Sequence, residues 1–117
     1  MVKCIFCNIA SGEIKSEKIY ENLNFFSIKD VNPLVKGHSL VISKRHFETI
    51  FDIPNDLGGD LIDCLNKTSL IILKENKCDG LNIIQNNYES AGQIVKHVHF
   101  HLIPRKKNDG LKGKMIF

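Results

Sequence analysis

Five histidines and four cysteines carry most of the chemistry open to this 117-residue chain, and three of the histidines stand together. Residues 97–103 read His97-Val98-His99-Phe100-His101-Leu102-Ile103. In an extended strand, side chains alternate between faces, and same-face neighbours lie about 6.6–6.8 Å apart. His97, His99 and His101 are therefore expected on one face, with Val98, Phe100 and Leu102 in the core behind them. Imidazole titrates near neutrality, binds metals and can attack electrophiles. Two kinds of chemistry fit the row. It could present imidazoles to a metal, or one ring could act as nucleophile while its neighbours orient it and move protons.

Two other segments could contribute. The polar run Asn86-Asn87-Tyr88-Glu89-Ser90-Ala91-Gly92-Gln93 precedes the histidines. Gly92 there would let backbone amides approach a phosphate, or simply make a turn between strands. Near the N-terminus, Cys4-Ile5-Phe6-Cys7 has the spacing of half a structural zinc site, and equally of two unremarked thiols.

These residues need a scaffold, and the pattern of the chain supplies one. The first ten residues are expected to form a short helical turn ended by Gly12. Lys18–Glu21 and Phe25–Ile28 read as strands joined by a turn at Asn22–Asn24. Asp30-Val31-Asn32-Pro33 reads as a loop, and His38–Ile42 as a third strand. Pro54-Asn55-Asp56 resembles a capped helix start. Leu57, Leu61, Leu65, Thr68 and Ile72 then recur at helical spacing, so a long helix is expected from Asn55 to Asn76. Cys64 falls near that stripe and reads as a small core residue. Leu81–Gln85 is the expected fourth strand and Val95–Ile103 the last, ended by Pro104-Arg105. Strands, one long helix and strands again make an α+β chain with an antiparallel sheet.

Composition limits the functions. Hydrophobic residues make up 43% and charged residues 25%, ordinary globular usage. The formal charge of +3 is too mild for a nucleic-acid binder. The densest basic stretch, Arg105-Lys106-Lys107 with Lys112 and Lys114, reads as a mobile tail. No apolar run approaches the roughly 20 residues of a membrane span. The N-terminus lacks the layout of a signal peptide, so a cytoplasmic protein with free or metal-bound cysteines is expected.

Gly92-Gln93 followed by His97 through Arg105 resembles the signature of the histidine triad (HIT) family. Gly37-His38-Ser39-Leu40-Val41-Ile42-Ser43-Lys44-Arg45-His46 resembles that family's second block, and Asp30 and Pro33 also fall where the family has them. The resemblance runs from Cys4 to about Arg105. It implies an α+β fold: a five-stranded antiparallel sheet, one long helix and a short N-terminal helix, with residues 1–117 forming one HIT domain and a short basic tail after about residue 105. It implies a homodimer that binds purine nucleotides and breaks a bond at the α-phosphorus through a nucleotidyl-histidine. Carried over, His99 is the nucleophile, with His97 and His101 flanking it. His101 contacts phosphate and assists proton transfer, and His38 orients the nucleophile. Asp30 holds the ribose, Val31 lies near the base, and Asn86, Gly92 and Gln93 bind the phosphate side. Bacterial-type members add a structural zinc, which would here be held by Cys4, Cys7, His46 and His97. No catalytic cofactor, nucleic acid or membrane partner is implied.

The expected activity is hydrolysis of nucleoside 5′-phosphoramidates or acyl-nucleotides. The alternatives are a dinucleoside polyphosphate hydrolase and a non-catalytic nucleotide or zinc binder. The short stretch beyond Arg105 leaves little to hold a second nucleoside, which favours the first. One departure matters. Family members often place Ser or Thr directly after the Gly-Gln pair, where the hydroxyl meets phosphate or leaving group. Here that residue is Ile94. Ser43 replaces a usual proline, and Ala91 a common glycine.

Overall fold

A computed structural model describes residues 4–111. Helix α1 (Ile5–Ser11) opens the chain. The Cys4 thiol caps it by accepting the Cys7 N–H at 3.3 Å. Gly12 stops it at φ +86°, a left-handed conformation open to glycine, and returns its N–H to Ile9 O.

Strands β1 (Lys18–Glu21), β2 (Phe25–Lys29) and β3 (Ser39–Ser43) follow, then helix α2 (Gly58–Asn76), β4 (Gly80–Ile84) and β5 (His99–Arg105). They build one five-stranded sheet in the order β1-β2-β3-β5-β4, with every neighbouring pair antiparallel. The expected α+β architecture is the observed one.

Strand alternation divides the core in two. Phe25, Val41, Val98, Phe100 and Leu102 meet Leu57, Cys64, Leu65 and Ile72 of the α2 layer. Phe26, Ile28, Leu40 and Ile42 point the other way and meet Phe6 and Ile9 of α1. The imidazole side is thus partly a second core, roofed by a seven-residue helix. Full burial of a Phe or Ile side chain stabilises by about 1.5–3 kcal/mol, so Phe6 and Ile9 suffice to hold α1 down. On the other side, Tyr20 Oη donates to Asp63 at 2.6 Å and Thr68 to Ser27 at 2.7 Å, fixing α2 against β1 and β2.

The boundaries correct four expectations. Residues Asn55–Leu57 form a tight 3₁₀ turn, and α2 is α-helical only from Gly58. No side chain caps either start. The paired glycines give this turn little helical drive, and Asp60 is the acidic residue of the first α-helical turn. Strand β5 begins at His99, not Val95. Its ladder with β3 runs out at Ile42↔His99, and Val98 N–H turns instead to Phe47 O at 2.7 Å.

Pro104 and Arg105 continue β5 and pair with Leu81 and Gly80. Arg105 O accepts from Asp79 N, so the adjacent Pro104 nitrogen faces away from β4, past the last β3 pair at Ser39↔Leu102. There the missing N–H leaves no ladder bond unmade. Finally, the basic stretch does not start as a free tail. Asp109 receives the Arg105 guanidinium at 2.7 and 2.9 Å and closes a turn. Lys112 and Lys114 lie outside the described residues.

Candidate active site

Hydrogen bonding fixes which nitrogen of each ring carries the proton. His99 Nδ1 lies 2.7 Å from His97 O. A carbonyl only accepts, so Nδ1 is the donor and the neutral ring keeps a bare Nε2. His38 Nδ1 accepts the Leu34 N–H at 3.0 Å, which places the neutral ring's proton on Nε2. That Nε2 faces His101 Nδ1 at 3.0 Å and Asp30 Oδ2 at 3.4 Å. His101 accepts through Nδ1 and therefore carries its own proton on Nε2. The rings of His99 and His101 stand 5.1 Å apart. One thus offers a lone pair and the next an N–H.

Burial favours the neutral forms of His38 and His101. It pushes His101 down to about 4, with the neighbouring His99 and His38 acting the same way and Asp30 opposing. Burial likewise lowers His38, again against Asp30. Asp30 is held beside the relay by its own loop: its N–H donates to His38 O, and its Oδ1 accepts from Asn32 N at 2.9 Å.

The rings line a cavity of about 820 Å³ between α1, the loop after β2 and the loop after β4. Asp30, Val31, His38, Asn86, Gly92, His99 and His101 all line it. Gly92 takes φ +91° at the end of a 3₁₀ turn, Glu89–Ala91, so its left-handed turn is specific to glycine.

Gln93 and His97 do not line the cavity. Gln93 is buried and fully engaged, with Nε2 donating to Glu48 O and Val95 O while Oε1 accepts Tyr88 N–H. It shapes the loop from behind. Sequence reasoning missed Phe6 and Ile9, whose i,i+3 spacing inside a short capped segment was the available signal. Phe6 sets its edge on the His99 ring, 5.1 Å between centroids. The Leu34 amide was also missed, and a backbone donor leaves no mark in a sequence.

His97 is fully buried and turned away from the cavity. Its Nε2 donates to Ser43 O at 2.7 Å, with Ser43 Oγ at 3.1 Å. Nδ1 is then bare, 3.2 Å from Cys4 Sγ and 3.5 Å from Cys7 Sγ. His46 Nδ1 is 3.2 Å from Cys7 Sγ, and the four ligand atoms lie within 4.8 Å of one another.

A tetrahedral ion with bonds of about 2.0–2.3 Å needs ligand atoms about 3.3–3.8 Å apart; the donor set fits zinc in identity, and the three thiol–imidazole separations of 3.2, 3.2 and 3.5 Å lie close to that range. Burial and the adjacent Cys4 push the Cys7 thiol up to about 11, a cost that a bound dication would reverse by holding thiolates. Asp30, His38 and His101 also converge, but the His38–His101 hydrogen bond already occupies their facing nitrogens.

Residues 11–108 match the HIT domain. The chain belongs to the HIT family. Over 107 residues it is 45% identical to an uncharacterized HIT-like protein of Methanocaldococcus jannaschii, covering 92% of this chain and 82% of that one. It is 42% identical to an adenosine 5′-monophosphoramidase of Candida albicans, covering 88% and 70%. The solved structure of a HIT family member from Bacillus subtilis superposes with a TM-score of 0.89 at 35% identity, covering 99% and 82%. The family fold is thereby established, and the phosphoramidase among these relatives supports nucleotide hydrolysis at the level of the family. Among the described residues of this HIT chain, no helix is long and apolar enough to cross a membrane.

Proposed function

We propose that this protein hydrolyses purine nucleoside 5′-phosphoramidates or acyl-nucleotides at the α-phosphorus, with His99 as nucleophile. The observation that carries the reading is the pair of opposite tautomers. His99 holds its proton on Nδ1 against the His97 carbonyl, leaving Nε2 free to attack. The adjacent His101 presents Nε2–H, positioned by His38. In the first step a bond forms between Nε2 and phosphorus, and the bond from phosphorus to the leaving group breaks. Water then cleaves the nucleotidyl-histidine and frees the ring. Catalysis of this kind depends on placing groups and on donors at the phosphate oxygens. His101, Asn86 and the Gly92 turn are the candidates for that work. The apolar lining from Phe6, Ile9 and Ile28 suits a flat purine, and Asp30 beside it suits ribose hydroxyls.

Two accompanying assignments belong to the same reading. Cys4, Cys7, His46 and His97 hold a structural zinc that ties α1 to the end of β3 and to the segment before β5. A second copy of the chain pairs along β4, one of the sheet's two outer strands, whose Ile83 is half exposed. Residues 1–117 act as one HIT domain, with no catalytic cofactor.

The test is turnover of adenosine 5′-phosphoramidate by wild type and His99→Ala, with acid-quenched wild type examined by mass spectrometry for an adenylyl adduct on His99. The adduct and a loss of at least about 10³-fold in kcat are expected for removal of a covalent nucleophile. Equal rates in both proteins would overturn the assignment. So would a clear preference for diadenosine polyphosphate.

A further inference from the structure

We infer that the leaving group this site accepts is apolar: a hydrocarbon amine or acyl group on the nucleoside 5′-phosphate. The inference rests on the reaction proposed above and concerns the side of the cavity that reaction vacates. In the sheet, His101 pairs with Leu40 of β3 on one side and Ile84 of β4 on the other. Asp30 and Val31 follow β2, so they lie on the β3 side of the reacting rings. With the nucleoside placed there, the group bonded across phosphorus falls on the β4 side.

That side is built from Ile84, Asn86, Gly92 and Ile94. Ile94 is 90% exposed, an isoleucine set into a cavity wall with almost none of its surface covered. Across the opening, Ile5 of α1 also lines the cavity and is 49% exposed. Among the described residues, no serine, threonine or tyrosine lines the cavity. Its charged lining side chains outside the histidines, Lys29 and Asp30, both lie at the β2 end. The leaving-group side therefore offers no hydroxyl to bond a polar group and no carboxylate to pair with an ammonium. Apart from the Asn86 amide and the Gly92 turn, assigned above to the phosphate, what it offers is the uncovered hydrocarbon of Ile94 with Ile84, which a hydrocarbon substituent would take out of water.

The proton balance fits such a group. As the P–N bond breaks, the departing amine leaves with a proton drawn from solvent, while neutral His101 donates a hydrogen bond through Nε2–H and keeps its own proton. The water that later cleaves the His99–P bond gives hydroxide to phosphorus and returns a proton. Overall, water supplies OH to phosphorus and H to the amine. For an acyl-nucleotide the P–O bond breaks instead, and the carboxylate departs without needing that proton.

The experiment compares kcat/KM for three adenosine 5′-phosphoramidates carrying N-methyl, N-hexyl and N-(6-aminohexyl) groups, in wild type, Ile94→Val and Ile94→Ser. Acetyl- and hexanoyl-adenylate form a second arm that tells P–O from P–N substrates. Hydrophobic pockets discriminate about 10–200-fold per methylene-sized change. Wild type should prefer N-hexyl over N-methyl by at least about 10-fold, and the terminal ammonium should forfeit that gain. Ile94→Val should keep most of the preference, and Ile94→Ser should bring the ratio close to one.

Hydrolysis of both alkyl amidates at equal rates, unchanged by Ile94→Ser, overturns the inference and leaves the reaction standing. A preference that survives Ile94→Ser while that variant alters the oligomeric state also overturns it, assigning Ile94 to a protein interface. Failure to turn over any of these substrates would overturn the reaction itself.

Discussion

Acidification should destabilise this protein through His101 in a measurable and separable way. Folding holds His101 down at about 4, against an ordinary histidine value of 6.5. Between those values the unfolded chain binds a proton at this ring and the folded chain does not, so stability falls as pH is lowered through the window. It is fully present above about pH 6.5. The gap of about 2.5 pH units, at 1.36 kcal/mol each, sets a ceiling of about 3 kcal/mol. The side chain keeps 25% of its surface in water, so we expect about 2 kcal/mol between pH 7 and pH 4.

The assay is urea unfolding at half-unit steps from pH 7 to 4, for wild type and His101→Asn. With a slope of about 1–3 kcal/mol per molar urea, the wild-type midpoint should fall by about 1 M more than the variant's. Contributions common to both proteins, including those of the Cys4–Cys7–His46–His97 cluster, cancel in the difference. Parallel midpoint curves would refute the reasoning, as would a His101 ring that titrates near 6.5 by NMR. If the prediction holds, His101 remains a neutral N–H donor above about pH 5. Its own protonation then cannot set the acid limb of the rate profile at higher pH.

Gly37 and the cysteine cluster give two further tests. Gly37 sits at φ +95°, and a Cβ there would come within 2.7 Å of Asn76 Cγ. Gly37→Ala should therefore cost about 1–3 kcal/mol of backbone strain, plus about 1 kcal/mol when Asn76 yields its bond to Ile72 O. In an Asn76→Ala background only the strain should remain, so thermal melts of the four proteins should reveal coupling of about 1 kcal/mol; strict additivity refutes the contact. Metal analysis of purified protein should find close to one zinc per chain, and Cys4→Ser should bind it far more weakly. A metal-free wild type purified without chelator would dismiss the structural zinc.

Much of the fold was legible because it depends on periodicity. The β1 bounds follow from the sequence to the residue, and the α2 stripe from Leu57 to Ile72 is the buried one apart from Leu61, which packs at its edge. What escaped depends on partners rather than pattern. The start of β5 is decided by where β3 runs out, and Val98 finds Phe47 instead of a ladder. Pro104 stays in the strand because its nitrogen faces a side with no neighbour, which no local rule reveals. At the site, side chains with charge or metal affinity announced themselves. Phe6, Ile9 and the Leu34 amide did not, since apolar walls and backbone donors acquire a role only from what the fold brings beside them. Gln93 is the converse: a residue marked by its motif whose whole side chain is engaged in the loop.

The three histidines show why alternation alone could not divide their labour. A strand rule makes His97, His99 and His101 equivalent, and equivalence would leave the choice of nucleophile open. It is broken by one residue of register. Because β5 starts at His99, the peptide at His97 lies outside the ladder, and its carbonyl is free to accept the His99 Nδ1 proton. The His97 ring, no longer held to the sheet face, reaches Ser43 with one nitrogen and the two thiols with the other. His97 thus serves two places at once, its backbone defining the tautomer of His99 and its side chain joining the N-terminal cluster. His101, two residues further into the ladder, is within reach of His38 and takes the opposite tautomer. The difference between the ring proposed to attack and the ring proposed to donate follows from where the sheet ends.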